Sequence, residues 1–352
     1  MAAPRSGRDG GLPYRAFDDQ TLKIGDVEVA GRVLSAPMTG VTDLPFRRLL
    51  SRLGAPYVAT EMVACAEFAR GRPDVVRRAA VGGGLPLMVM QLVGREPEWL
   101  AQGARMAEAA GAHIIDLNMG CPAKDVTGAL AGSALMRDLD QAEALIAAAV
   151  GATRRPVTLK MRLGWDAASL NAPELAMRAE QAGVKAITVH GRTRCQFYKG
   201  AADWRAVAAV KAATSLPVIV NGDIICADSA RRALQQSNAD GVMIGRGVYG
   251  RPWMIAALQR ALVGGEALTD PDAWARFEIV IDHLRDTLAF YGDRLGLRIF
   301  RKHLGWYVEQ APWPAAAQAR REAKSALCRL ETGAEVERAL SRLWSPQGRL
   351  AA

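Results

Sequence analysis

From Gly31 onward one pattern of apolar and polar positions repeats: a short apolar run, a polar or glycine-containing end, then a longer amphipathic segment rich in Ala, Leu, Glu and Arg. The apolar runs are Val33–Ala36, Tyr57–Thr60, Leu87–Met90, His113–Leu117, Val157–Met161, Ala186–Val189, Val218–Val220 and Gly241–Ile244, each of strand length. Between them Pro97–Ala110, Pro173–Ala182, Trp204–Ala213 and Ser229–Gln236 read as helices, and Gly111 and Gly183 stand where two of them stop. Eight strand–helix units in about 230 residues match a TIM (β/α)8 barrel, whose usual size is roughly 250 residues. A doubly wound open sheet is the alternative. It wants a glycine-rich phosphate turn after its first strand, and Ala36-Pro-Met-Thr-Gly40 lacks the GxGxxG spacing.

Near Gly264-Gly265 the alternation stops. Asp272–Tyr291, Leu297–Glu309, Ala315–Thr332 and Glu335–Trp344 read as helices, broken at Gly292, at Pro312-Trp-Pro314 and at Gly333. Connections this short favour an antiparallel bundle. The expected organisation is a loose tail over residues 1–30, an α/β barrel domain over 31–264 and an all-α helical-bundle domain over 265–352.

Composition narrows the function classes. Half of the 352 residues are hydrophobic, enough for a substantial core. The five cysteines, Cys65, Cys121, Cys195, Cys226 and Cys328, are odd in number and lack CxxC or Cys/His spacing. That argues against a disulfide framework and against a metal site, and it fits a reducing cytoplasm. The first thirty residues carry charges of both signs and no apolar stretch, so they read as a tail and not as a signal peptide. The uncharged stretch Ala79 to Gly94 is interrupted by Gly82-Gly83-Gly84 and Pro86, which excludes a membrane span there. A cytoplasmic monomer is expected. The net charge of +9 falls on residues 31–264, since the tail carries −1 and the helical part +1. An excess of this kind suggests a polyanionic partner, although solubility alone also accounts for it.

The ends of the eight strands hold the candidate chemistry. In order they present Pro37-Met38-Thr39, Glu61, Gln91, Asn118 with Cys121, Lys160 with Arg162, His190, Asn221-Gly222-Asp223 and Gly245-Arg246. In a TIM barrel these positions build the active site. Cys121 sits in a turn of Asn118, Gly120 and Pro122, which holds a thiol in place and partly exposed; alone it is equally compatible with a small buried filler. The Asn221-Gly-Asp223 and Gly245-Arg246-Gly247 loops follow the last two strands, where phosphate sites recur, with backbone N–H groups and a forked cation as donors. Lys160 ends an apolar strand and therefore needs an anionic or strongly accepting partner. With Gln91 and His190 beside it, that partner could be a flavin ring.

The segments Ala36-Pro-Met-Thr-Gly-Val-Thr-Asp43, Asn118-Met-Gly-Cys-Pro-Ala-Lys124, Lys160-Met-Arg162, His190-Gly-Arg-Thr-Arg194, Asn221-Gly-Asp223 and Gly245-Arg-Gly247 resemble the tRNA-dihydrouridine synthases. Arg251-Pro-Trp253 and Arg301-Lys-His-Leu-Gly-Trp-Tyr307 resemble the B-type bacterial branch. The likeness runs from about Gly31 to at least Tyr307, and Thr39 stands where the family more often has Ala.

The resemblance implies FMN across the barrel mouth. Its phosphate would be held by Asn221, Gly222, Asp223, Gly245 and Arg246, and its ring bordered by Pro37, Met38 and Thr39 and touched by Gln91, Lys160 and His190. NADPH, with NADH also admissible, would reduce it. Hydride would pass from flavin N5 to C6 of a uridine in the tRNA D loop, and Cys121 would protonate C5. Asn118 and Arg162 would read the uracil edge. Arg298, Arg301 and Lys302, with Arg294, form a basic stripe expected to grip tRNA, or else a solvated helix face. Two other readings stay open: a flavin enzyme acting on a free pyrimidine, like the dihydroorotate and dihydropyrimidine dehydrogenases, and an RNA-binding or regulatory protein with a vestigial flavin site.

Overall fold

The computed structural model describes residues 21–82, 85, 87–312 and 316–344. Most of the expected tail, and the expected breakers Gly83, Gly84, Pro86, Trp313 and Pro314 with the helix start Ala315, lie outside the described residues. The strands are β1 Leu22–Ile24, β2 Val27–Val29, β3 Val33–Ser35, β4 Val58–Ala59, β5 Val63–Ala64, β6 Met88–Val93, β7 Ile114–Met119, β8 Val157–Arg162, β9 Ala186–His190, β10 Val218–Asn221 and β11 Gly241–Ile244. In the barrel region the helices are α1 Leu44–Arg52, α2 Cys65–Ala69, α3 Pro73–Arg78, α4 Pro97–Ala109, α5 Lys124–Gly128, α6 Leu139–Val150, α7 Ala172–Gln181, α8 Trp204–Ala213, α9 Ala227–Ser237 and α10 Met254–Val263. Then come α11 Ala273–Tyr291, α12 Asp293–Glu309, α13 Ala317–Arg329 and α14 Gly333–Trp344.

Eight parallel strands run in the order β3-β11-β10-β9-β8-β7-β6-β4, with short β5 continuing along β6. The N–H of Ser35 donates to the Tyr57 carbonyl at 3.2 Å, joining the two ends of the sheet into a TIM barrel. Period-2 alternation sorts the side chains. Ile115, Leu117 and Met119 of β7 and Val157, Leu159 and Met161 of β8 pack outward under the helices. Asp116, Asn118, Thr158, Lys160 and Arg162 take the other face, and the register sets Asp116 beside Thr158 and Asn118 beside Lys160. β6 and β8 accordingly run past the ends expected from their apolar runs, because an interior lined with polar groups lets the ladder continue through Gln91 and Arg162.

The lower half of the interior is apolar: Leu34, Ala59, Val89, Ala186, Ile219 and Met243 meet Leu22, Ile24 and Val29. Those last three belong to a β1–β2 hairpin, so residues 22–29 correct the expectation of a loose tail up to residue 30. Leu-Lys-Ile and Val-Glu-Val alternate around a tight turn at Gly25, whose φ is +63°.

The last four helices have their own core of Val280, Leu284, Phe300, Leu304, Val308, Leu327, Val336 and Leu340. α11 and α12 are antiparallel, joined through Gly292 at φ +76°: Gly296 lies against Thr287, His303 against His283, and Arg276 donates to the Gln310 carbonyl at 3.2 Å. Phe46 of α1 reaches into this pair, its ring 5.3 Å from His283 and 4.9 Å from His303. Tyr249 stacks on Trp306 at 3.8 Å, and Arg48 pairs with Asp286 at 3.0 Å. None of the described helices is long and apolar enough to cross a membrane.

Candidate active site

β7 delivers the thiol. Its Asn118 Oδ1 accepts from the N–H groups of Gly120 (3.1 Å) and Cys121 (2.9 Å), a side-chain turn that competes successfully with further strand. On the other side the Cys121 carbonyl accepts from the Ser133 N–H at 3.1 Å and the Ser133 hydroxyl at 2.8 Å. Gly132 makes this closure possible: its φ is +59°, and a Cβ there would stand 2.8 Å from Val126 Cγ1 and 3.0 Å from the Cys121 oxygen. The peptide of Cys121 is therefore pinned at both ends, with the side chain half-buried and reduced.

Below the loop a line of hydrogen bonds crosses the barrel. Thr158 Oγ1 donates to Asp116 Oδ1 at 2.8 Å, and Gln91 Nε2 donates to Asp116 Oδ2 at 2.6 Å. Asn118 Nδ2 donates to Gln91 Oε1 at 2.8 Å. Burial raises the Asp116 carboxyl to about 6 in spite of these donors. Lys160 Nζ donates to Asn221 Oδ1 at 3.2 Å; desolvation lowers its ammonium to about 8, with Asp116 pulling the other way. His190 is held neutral, well below its ordinary value, by burial and then by the cations Lys160, Arg162, Arg192 and Arg246. Arg162 directs three N–H···O bonds to the carbonyls of Gly120 (2.8 Å), Thr193 (2.9 Å) and Phe197 (2.9 Å), tying the loop after β9 to the cysteine loop.

The glycine turns after β10 and β11 form a cationic corner. Arg192, fully buried, donates to Asp223 Oδ2 at 2.5 Å and to the Gly200 carbonyl at 2.6 Å. Arg246 pairs with Asp223 Oδ1 at 3.2 Å and lies 5.0 Å over the Tyr198 ring. Asp223 sits at φ +54°; against the burial that would raise it, Arg192 and the Ala202 N–H hold its carboxyl below the usual range. A carboxylate so used does not ligate an anion; it aims Arg246. Asn221 is likewise committed, accepting from Lys160 and donating to the Met243 carbonyl at 2.8 Å. Gly222 at φ +116° packs so closely that a Cβ would fall 2.9 Å from Ala202 and 3.1 Å from the His190 ring.

Pro37, Met38, Thr39, Gln91, Asn118, Cys121, Lys160, Arg162, His190, Asn221, Gly222, Asp223, Gly245 and Arg246 all line one cavity of about 970 Å³ at the C-terminal ends of the strands. That volume is near the top of the roughly 300–1,000 Å³ range of small-molecule sites, so a tricyclic cofactor and a second planar ring can share it. The donor set suits FMN: a forked cation and open Gly245 at one end, an ammonium and amides at the other. Asp116, Arg192 and Tyr198 were missed by the strand-end reading. Asp116 had a signal, a lone carboxylate inside an apolar run; Tyr198 had none, lying eight residues past His190 in a long loop.

The basic stripe on α12 stands outside the cavity and is divided. Arg301 donates to the Leu330 carbonyl at 3.2 Å, and Lys302 donates to the Gly40 carbonyl, whose own N–H is taken by Glu61. Arg294 and Arg298 are exposed.

Comparison with known proteins matches residues 34–344 to the family model described as dihydrouridine synthase. A "Probable tRNA-dihydrouridine synthase" of Rhodobacter capsulatus is 54% identical over 300 residues, covering 85% of this chain and 92% of that protein. The "tRNA-dihydrouridine synthase B" of Xanthomonas axonopodis pv. citri is 44% identical over 295 residues, covering 84% and 89%. Among solved structures, histamine dehydrogenase from Rhizobium sp. 4-9 superposes with a TM-score of 0.56 at 12% identity, covering 96% of this chain and 65% of that one, a likeness of fold alone.

Proposed function

The chain belongs to the dihydrouridine synthase family, and from that premise we infer that it reduces a uridine of the tRNA D loop to 5,6-dihydrouridine, with FMN reduced by NADPH and Cys121 as the acid. The observation that carries this reading is the opposition, across one cavity, of the pinned Cys121 loop to the cationic corner at Gly222, Gly245 and Arg246.

Arg246, aimed by Asp223, would take the phosphate of FMN together with the glycine turns, while Pro37, Met38 and Thr39 border the ring. When bound, reduced FMN supplies a hydride to C6 of the base. Lys160 would supply a cation to the bound ring, where charge accumulates on reduction, and Gln91 and neutral His190 would offer hydrogen-bonding groups to it. Cys121 holds a proton over the opposite face of the base and gives it to C5; a thiol is the more acidic choice than a hydroxyl. Arg162 fixes the height of that loop through the Gly120 carbonyl. A stacked base cannot reach the cavity, so the nucleotide must be splayed out, at a few kcal/mol of unstacking. The net +9 of the barrel domain and the exposed Arg294 and Arg298 on α12 favour the polyanion that delivers it.

The test is the visible spectrum of the purified protein, followed by mass spectrometry of tRNA incubated with it and NADPH. A flavin band and a two-hydrogen mass gain in the D loop are expected. A protein that shows no flavin, or that reduces free uracil but not tRNA, would overturn the reading.

A further inference from the structure

The hydrogen-bond line under the cysteine has a direction. A carboxylate only accepts, whereas each carboxamide can turn either end toward a neighbour. Because Asp116 faces Gln91, the Gln91 NH2 must point at it, at 2.6 Å, and its oxygen must point away. That oxygen meets the Asn118 NH2 at 2.8 Å, which leaves Asn118 Oδ1 toward the N–H groups of Gly120 and Cys121. Were Asn118 reversed, its NH2 would confront two backbone donors and the turn that presents the thiol would lose its anchor.

We propose that Asp116 is a positioning residue for the reaction: by fixing the orientation of two successive carboxamides it holds the Cys121 loop in the geometry for proton transfer. Asp116 is 2% exposed and Gln91 1%, so water does not compete for the line. The register of β6, β7 and β8 sets Gln91, Asp116 and Thr158 side by side, so no loop movement is needed to assemble it. The inference rests on Cys121 as the acid, and the test separates the two.

Asp116→Asn keeps size and removes the obligatory acceptor. At pH 8, amide hydrogen exchange at Gly120 and Cys121 should speed up at least tenfold in the tRNA-free protein while β7 and β8 stay protected. Dihydrouridine formation should fall, with NADPH-driven flavin reduction retained. The double variant Asp116→Asn/Asn118→Asp rebuilds the line in the opposite sense. The amide introduced at position 116 donates to the Gln91 oxygen, and the Gln91 NH2 donates to the carboxylate introduced at position 118, which still accepts from Gly120 and Cys121. It should restore the slow exchange. Wild-type exchange in the single variant would overturn the proposal, as would faster exchange spread over β7 and β8 that the double variant does not reverse. If Cys121→Ala still reduced tRNA, the acid assignment would fail while the exchange results judged the line on their own.

Discussion

At the scale of single residues, the proposed reaction separates groups that would touch ligands from groups that would aim them. Cys121→Ala should keep the flavin and the oxidation of NADPH but lose dihydrouridine formation; turnover on tRNA at the wild-type rate would exclude the role. Arg246→Ala removes a charge-assisted fork worth roughly 1.5–3 kcal/mol while Asp223 keeps Arg192 and the Ala202 N–H as partners, so on the proposed reading FMN should be lost on gel filtration. Absorbance near the flavin band, measured before and after, checks it. Asp116 adds a pH dependence. Its carboxyl lies near 6, with Lys160 and Tyr57 as its titratable neighbours, and it must be ionised to remain an acceptor only. Turnover should therefore decline as pH falls through about 6. Lys160 stands out in the sequence because it ends an apolar run, where an ammonium is costly to bury without a partner, and Cys121 and Arg246 because they sit in the turns just after their strands; all three line the cavity. Asn221 and Asp223, read from the glycine turn after β10, line the cavity too, with their side chains paired inside the protein. Their partners, Arg192 and Met243, come from other loops and strands, and no spacing along the chain shows which pairs will meet.

Elements were read more securely than their tasks. All eight barrel strands and the four C-terminal helices stand where periodicity put them, since burial under a layer of helices demands apolar runs whatever the loops do. The ends slid by one to three residues on β6 and β8, where inward polar groups continue a strand that hydropathy alone would stop. The turn at Gly132 is the element on which the cysteine loop closes. Gly132→Ala should cost about 1 kcal/mol or more in backbone strain, and the contacts at 2.8 Å and 3.0 Å would push Cys121 out of place. The expected result is a modest fall in melting temperature with a disproportionate fall in kcat on tRNA; equal kcat would show that the loop tolerates the shift. On α12 the stripe divides into hydrogen-bonded Arg301 and Lys302 and exposed Arg294 and Arg298. Arg294→Glu with Arg298→Glu should weaken tRNA binding and make the dependence of log K on log salt shallower by roughly one to two units, with flavin reduction unchanged. Binding unchanged at every salt concentration would leave the stripe as solvated surface.

At the scale of the molecule, barrel and bundle share a buried junction. Burial lowers His283 to about 3 and holds His303 well below its ordinary value, so both are neutral at pH 7. Below about 6.5 the unfolded chain takes up protons that the folded junction refuses, so these groups cost stability as pH falls toward 3. Asp43 and Asp116, raised to about 6, act in the opposite sense: the folded state binds their protons first, and they add stability as pH falls from 6 to 3.8. A difference measurement isolates the histidine. Between pH 7 and pH 5, His283→Gln should lose about 2 kcal/mol less stability than wild type in urea titrations. The β1–β2 hairpin has a consequence of another kind. It seals the floor of the barrel with Leu22, Ile24 and Val29, so the cavity at the strand ends is a dead end entered from the rim. On the proposed reaction, two bulky reactants that need the same ring of one cofactor would take turns at one doorway. Double-reciprocal plots of initial rate against reductant at several tRNA concentrations should be parallel lines, each substrate inhibiting at high concentration by occupying the entrance the other requires.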